Sequence, residues 1–378
     1  MNHFPFEAQR ALFPILARKA QLSSCSQSAL STPVTDAIAR YMQSWSEKGM
    51  DWMGWQVVLD QAKAEFGRLI NADAADIAVM SCVSDLASSV GNCLAYDSER
   101  DGIVLGEIDF PSLGHVWLAQ RSRGAQVQFA QPDAGGEIAL EDYARLINRR
   151  TRLVSVSQVS YSNGFKQDIG AIAELARANG ALFFVDAYQS AGAMQIDVQR
   201  DGIDMLVCGA QKYLMGCPGI AFMYVRREVA EQLKPVNTGW FGRVNPFAFD
   251  IRKLDYAQGA RRFDTGTPPY INAAAACAGM ALLNSVDMAA IEAHIERLSV
   301  VARDAAERLG LPNTSPRDPR RKGSSTAIQV SDSAAVEKRM AEAGYIVSAR
   351  GAVIRVAPHF YNTEADVVGA MEALARVR

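Results

Sequence analysis

The sequence predicts an α/β protein: a doubly wound, mostly parallel sheet followed by a smaller α+β unit. Three observations carry this prediction. Strand-like and helix-like runs alternate along the first part of the chain, the rhythm that a doubly wound sheet requires. The run Ala181-Leu182-Phe183-Phe184-Val185 is apolar without interruption and stops at Asp186, as a strand buried on both faces does. Finally, 378 residues exceed a single hydrophobic core, so one large and one smaller domain are expected. The expected division is an N-terminal segment over 1–20, a large domain over 21–270 and a small C-terminal domain over 271–378.

Taken in order, residues 1–30 hold an amphipathic stretch and then the polar run Leu22–Ser28. Ser31-Thr32-Pro33 predicts a helix start, with a hydroxyl N-cap and a proline in the first turn. That helix carries Val34, Ile38, Tyr41, Met42 and Trp45 at helical spacing, and a second is predicted over 56–69. Short strands are predicted at 77–80, 103–105, 126–130, 152–156, 205–208 and 219–225, with helices at 86–94, 140–148 and 169–179. Beyond them the Ala-rich stretch 270–283 and the amphipathic stretch 288–309 read as helices. Strands at 325–330, 346–348 and 353–356, with helices at 334–343 and 364–376, complete the C-terminal unit.

Composition excludes several classes of function. Apolar residues make up 49% and charged residues 21% of the chain, as in an ordinary globular protein. A formal net charge of −2 gives no bulk attraction to nucleic acid or to an anionic membrane, and neither is expected as a partner. The N-terminus has no apolar core of signal-peptide length and no later run approaches a membrane span, so a cytoplasmic protein is expected. The six cysteines, Cys25, Cys82, Cys93, Cys208, Cys217 and Cys277, are scattered and form no Cys-x-x-Cys spacing. They are read as buried free thiols, not as a zinc site or a disulfide framework. No Gly-x-Gly-x-x-Gly occurs, which removes a nicotinamide-binding Rossmann enzyme.

Chemistry concentrates at strand ends. Ligands of parallel sheets gather at the carboxyl ends of the strands, and Asp186 stands at one such end. The next strand, Met205–Cys208, delivers Gly-Ala-Gln-Lys, ending in Lys212. A carboxylate and a lysine on neighbouring strand ends are the pair that a pyridoxal-phosphate (PLP) site needs. The lysine forms a Schiff base, and the carboxylate keeps the pyridine nitrogen protonated. The plainer reading is a helix-capping aspartate and a solvated lysine. Farther on, Arg355 lies within the strand Val353–Val356, and a buried arginine demands an anionic partner. Its guanidinium fork fits an α-carboxylate in a bidentate way that a lysine cannot match. The turn Ser81–Asp85 leads a strand into a helix, where free N–H groups and the helix dipole suit a phosphate.

Asp186-Ala-Tyr-Gln189, followed by Cys208-Gly-Ala-Gln-Lys212-Tyr-Leu-Met-Gly-Cys-Pro-Gly219, resembles the core of the class V aminotransferase family. Kynureninases, cysteine desulfurases, selenocysteine lyases and isopenicillin N epimerase-like enzymes belong to it. The resemblance implies the type I PLP fold, with a mostly parallel seven-stranded sheet in the large domain. It implies PLP as the cofactor, Lys212 as the Schiff-base lysine and Asp186 as partner of the ring nitrogen. Gln189 is expected at the phenolic oxygen, with Tyr161 as a further candidate there, and Phe110 of Phe110-Pro111 is expected to stack on the ring. The family commonly has Gly-Thr-Thr at the phosphate cup, where this chain has Cys82-Val83-Ser84. Only the Ser84 side chain and the Val83 amide carry over. Gln211 stands where kynureninases have Tyr and desulfurases have His, and an amide cannot act as the acid those side chains can be. Trp240 and Thr267 match residues that reach the phosphate of a neighbouring subunit, which implies a homodimer with shared active sites. Arg243 replaces a His of the kynureninase run, placing a cation near the substrate pocket. Ser26 is a candidate substrate contact on the N-terminal segment.

For the reaction, Ile354-Arg355-Val-Ala-Pro-His359 closely resembles the kynureninase segment in which an arginine holds the amino-acid carboxylate. Desulfurases carry a catalytic cysteine just upstream, but Ser348-Ala-Arg-Gly-Ala-Val353 has none, and no cysteine follows Cys277. The sequence thus points to an amino-acid lyase acting at the β-carbon, with a class V aminotransferase as the alternative.

Overall fold

The computed structural model describes residues 4–378. Its centre is a seven-stranded sheet in which Ile77–Met80, Ala221–Val225, Met205–Gly209, Leu182–Asp186, Thr151–Ser157, Gly102–Gly106 and Gln126–Ala130 lie side by side in that order. Only Ala221–Val225 runs against its neighbours. The remaining pairs are parallel, as the apolar, doubly buried strand sequences predict. Helices cover both faces and enclose two apolar clusters. One includes Phe66, Val154, Val185 and Met280; the other includes Leu86, Trp117, Phe184 and Phe263.

A second sheet, Ser348–Arg350, Val353–Val356 and Thr326–Gln329, is antiparallel throughout. The helices Met288–Arg308, Ser333–Glu342 and Glu364–Val377 pack with it around Leu298, Ile328, Met340 and Leu374. The N-terminal stretch joins this unit. Ala20–Gln21 pairs in parallel with Tyr345–Ile346, and Ser23 bridges to Ala357. Leu22 is buried in the same cluster.

Several local expectations change. The predicted helix at 31 begins at Thr32 with Ser31 in the N-cap position, but the Ser31 hydroxyl makes no cap bond and is buried without a partner. The single strand expected at 346–348 is two short strands with different partners. A helix at Pro111–Ala119, opened by a proline in its first turn, was not expected from the sequence. Of the six thiols only Cys25 and Cys208 are fully buried, and Cys82 is exposed because it caps a helix at a strand-to-helix turn. Among the described residues no group of three or more metal-capable side chains converges, and no single helix is long and apolar enough to cross a membrane.

Candidate active site

The carboxyl ends of the central strands converge on one mouth. Asp186 ends its strand there with its side chain buried. One carboxylate oxygen accepts the Tyr188 backbone N–H at 2.8 Å, and the other faces the Ser157 hydroxyl at 3.5 Å. Burial holds this carboxyl above the ordinary range, and the Tyr188 N–H, the Lys212 charge and Ser157 pull it back.

The adjacent strand ends at Gly209 and turns into the loop that presents Lys212. The loop is held from several sides. Gly216 N–H bonds the Ala210 carbonyl at 2.8 Å, and the Ser28 hydroxyl bonds the Lys212 carbonyl at 2.5 Å. Met215 adopts the left-handed region at φ 58°, a conformation that costs a non-glycine residue of order 1 kcal/mol and persists only where its surroundings fix it. The Lys212 amine stands 4.2 Å from the centre of the Tyr188 ring and 5.6 Å from that of Phe110. Burial lowers its pKa and the Asp186 charge opposes the shift. The Tyr188 hydroxyl in turn donates to the Gln211 side-chain carbonyl at 2.5 Å.

Arg355 enters from the C-terminal sheet and is 1% exposed. Its guanidinium donates to the Tyr161 carbonyl at 2.7 Å, the Ser26 hydroxyl at 2.9 Å and the Ser348 hydroxyl at 2.7 Å, while Nε has no partner. All three acceptors are neutral, and among the described residues it forms no ion pair. A buried cation left without a counter-charge is costly.

Ser26, Phe110, Asp186, Gln189, Gln211, Lys212 and Arg355 line one cavity of about 230 Å³. Ser157, Val159, Tyr161, Tyr188 and Arg350 complete its wall. Phe110 is the residue before the helix Pro111–Ala119, and its ring meets Tyr161 edge-on at 5.1 Å. Gln189 donates to the Cys25 carbonyl at 3.0 Å, tying the cavity to the N-terminal segment.

The other expected residues lie outside that wall. Val83 and Ser84 open the helix Val83–Cys93, whose N-cap Cys82 makes no side-chain cap bond. Trp240 belongs to an aromatic group with Trp52, Phe241 and Phe249. Thr267 lines a separate cavity of about 190 Å³ with Ser81 and Asp264. Arg243 lies on the same run as Trp240. Its guanidinium pairs with Asp255 at 3.0 Å and bonds the Asp250 carbonyl, and it is no part of the Lys212 cavity wall.

Sequence reasoning missed Ser157, Asp109 and Arg350. Asp109 is buried beside Asp186, accepts the Ser157 N–H at 2.9 Å and has its pKa raised to about 7, chiefly by burial. Its position just before Phe110 was the available signal. Ser157 could have been found by extending the strand 152–156 by one residue to its carboxyl end.

The donor set fits PLP: a buried carboxylate for a protonated pyridine nitrogen, an amine of lowered pKa and an aromatic face. The chain matches the family described as Aminotransferase class-V over residues 22–368. It is 39% identical over 377 residues to a Bacillus subtilis protein named uncharacterized aminotransferase YcbU, covering 99% of this chain and 98% of that one. It is 28% identical over 255 residues to a kynureninase of Deinococcus radiodurans, covering 66% of this chain and 60% of the relative. Among solved structures, a cysteine desulfurase of Thermococcus onnurineus superposes with a TM-score of 0.89 at 21% identity, over 100% of this chain and 99% of the other. A cystine C-S lyase named C-DES superposes at 0.87 with 20% identity, over 97% and 99%. By fold, by family match and by full-length similarity, the chain belongs to the class V aminotransferase family of PLP-dependent enzymes.

Proposed function

We propose that this family member is an amino-acid lyase that breaks a bond at the substrate β-carbon. Arg355, a buried guanidinium with neutral partners only, facing the same cavity as Lys212 and Asp186, carries the amino-acid reading, and the kynureninase-like run Ile354–His359 around it favours the lyase. Bound at Lys212, PLP supplies an electron sink for the pair left when a bond to the α-carbon is broken. Arg355 binds the substrate α-carboxylate and so fixes which α-carbon bond faces Lys212. The Lys212 amine, its pKa already lowered by burial, accepts the α-proton as a base. Asp186 would keep a proton on the ring nitrogen, Phe110 would cover the ring face and Gln189 would serve the phenolic oxygen. The Val83 amide, Ser84 and Gln211 would hold the phosphate, and Trp240 and Thr267 would reach it from a second copy of the chain.

A homodimer belongs to this reading. Trp45, Met53 and Val57 on the first two long helices are more than half exposed, as are Phe247, Phe249 and Ile251 beside Trp240. Apolar side chains so placed mark an association surface. The six unpaired cysteines suit a reducing compartment, and we place the enzyme in the cytoplasm.

The segment Ser348–Val353 holds no cysteine to accept sulfur as a persulfide, which argues against a desulfurase mechanism. The aminotransferase reading is favoured by the name of the full-length relative. The two separate on products. Purified holoenzyme is incubated with cysteine, cysteine sulfinate, alanine and kynurenine, with and without a keto-acid acceptor. Release of alanine, pyruvate, sulfide or sulfite without an acceptor supports the lyase. Turnover only when an acceptor is present, with conversion to pyridoxamine phosphate, replaces it with the aminotransferase.

A further inference from the structure

We propose that the cavity selects amino acids whose side chain carries a second anionic group, a carboxylate or sulfinate, and that Arg350 is the residue that reads it. The inference rests on the assignment of the α-carboxylate to Arg355 and goes beyond it to the substrate class.

The strands Ser348–Arg350 and Val353–Val356 form an antiparallel hairpin in which Ser348 lies opposite Arg355 and Arg350 opposite Val353. Residues two apart on a strand share a face, and so do residues directly opposite across a pair. Ser348, Arg350 and Arg355 therefore project from one side of the hairpin. That side is the cavity, since Ser348 bonds the Arg355 guanidinium and both arginines line the wall. The turn between the strands uses Gly351 at φ 54°, which fixes where Arg350 emerges.

Charge decides the rest. The cavity wall carries Lys212, Arg350 and Arg355 against one carboxylate, Asp186. Asp186 is already engaged by the Tyr188 N–H and Ser157. Arg355 contacts neutral acceptors only, and among the described residues Arg350 makes neither an ion pair nor a side-chain hydrogen bond. Arg355 is buried and Arg350 is exposed at the cavity's edge, and the protein supplies no anion between them. One α-carboxylate satisfies one of them. A second anion on the same substrate satisfies the other.

The test titrates the cofactor absorbance band of holoenzyme with L-cysteine sulfinate and L-aspartate, and with the neutral L-cysteine, L-asparagine and L-alanine. The expected result is at least about tenfold tighter binding of the dianionic pair, the size of one charge-assisted contact. Arg350→Gln removes that preference and leaves affinity for the neutral amino acids within about twofold. Arg350→Lys retains part of it, and raising the salt concentration reduces it. A preference confined to cysteine sulfinate identifies sulfinate as the group read; a shared preference identifies any short anion. Arg355→Gln weakens every ligand. If Arg355→Gln does so while Arg350→Gln treats both classes alike, the proposal falls and the proposed function stands. If no amino acid shifts the band, or Arg355→Gln changes nothing, both fall together.

Discussion

His359 gives the protein a defined weakness to acid. The ring is fully buried between the Lys212 loop and the C-terminal unit, and both nitrogens are engaged. Nε2 lies 3.0 Å from the Tyr213 carbonyl, which can only accept, so Nε2 carries the proton. Nδ1 accepts the Phe360 backbone N–H at 2.8 Å and is therefore the bare nitrogen. Protonating Nδ1 destroys that bond and buries a charge. Burial accordingly lowers the pKa from 6.5 to about 4, the Tyr213 carbonyl opposing. Between these two values the unfolded chain binds more protons than the folded one. The stabilising contribution of neutral His359 is complete above pH 6.5, declines as pH falls and is lost by about pH 4. At 1.36 kcal/mol per unit the whole loss is about 3 kcal/mol, a large share of a typical stability. The assay is urea unfolding at pH 7 and pH 4.5, at fixed protein concentration, of the wild type and His359→Gln. The substitution costs stability at both pH values, but the gap between the two proteins should narrow by about 2–3 kcal/mol at the lower pH. A gap that is the same at both pH values would refute the assignment of a neutral buried ring.

Two further perturbations probe how the site is supported. A Cβ on Gly279 would lie 2.5 Å from the Leu214 carbonyl oxygen and 2.9 Å from the Met215 carbonyl, all backbone atoms that cannot rotate away. Gly279→Ala should cost about 1–3 kcal/mol and loosen cofactor retention, measured by absorbance after dialysis. Gly114→Ala is its control: open space surrounds that Cβ, so about 0.5–1 kcal/mol of stabilisation and unchanged retention are expected. Lys63 and Asp264 form a buried ion pair at 2.6 Å, and Asp264 also accepts the Val79 N–H at 2.8 Å, anchoring the loop to Thr267. Lys63→Met leaves that carboxylate buried and unpaired, and urea unfolding should show a loss of about 3–5 kcal/mol. A loss below about 1 kcal/mol would contradict the pairing.

Much of this architecture was legible because buried strands leave simple traces. Leu182–Asp186 and Met205–Gly209 are short apolar runs, and the rule that ligands gather at their carboxyl ends brought Asp186 and Lys212 forward. Arg355 was legible as a cation in an apolar strand, and the structure surrounds it with neutral acceptors. What escaped the sequence was long-range. Nothing local says that Ala20–Gln21 pairs with Tyr345–Ile346, or that Ser26 and the Tyr161 carbonyl would meet one guanidinium. The helix Pro111–Ala119 was missed because Leu113, Val116, Trp117 and Leu118 surround it with apolar residues and blunt its periodicity. The pairing of Arg243 with Asp255 was likewise not visible in the sequence.

The central claim is that Lys212, and no other lysine, carries the cofactor. The direct test is borohydride reduction of purified holoenzyme, followed by proteolysis and mass spectrometry of the peptides. The expected result is a single pyridoxyl label on Lys212, loss of the visible-edge absorbance band and no label in Lys212→Ala. A label on another residue, such as the buried Lys322 whose pKa burial lowers to about 7, would contradict it. So would a protein that is colourless and takes up no PLP.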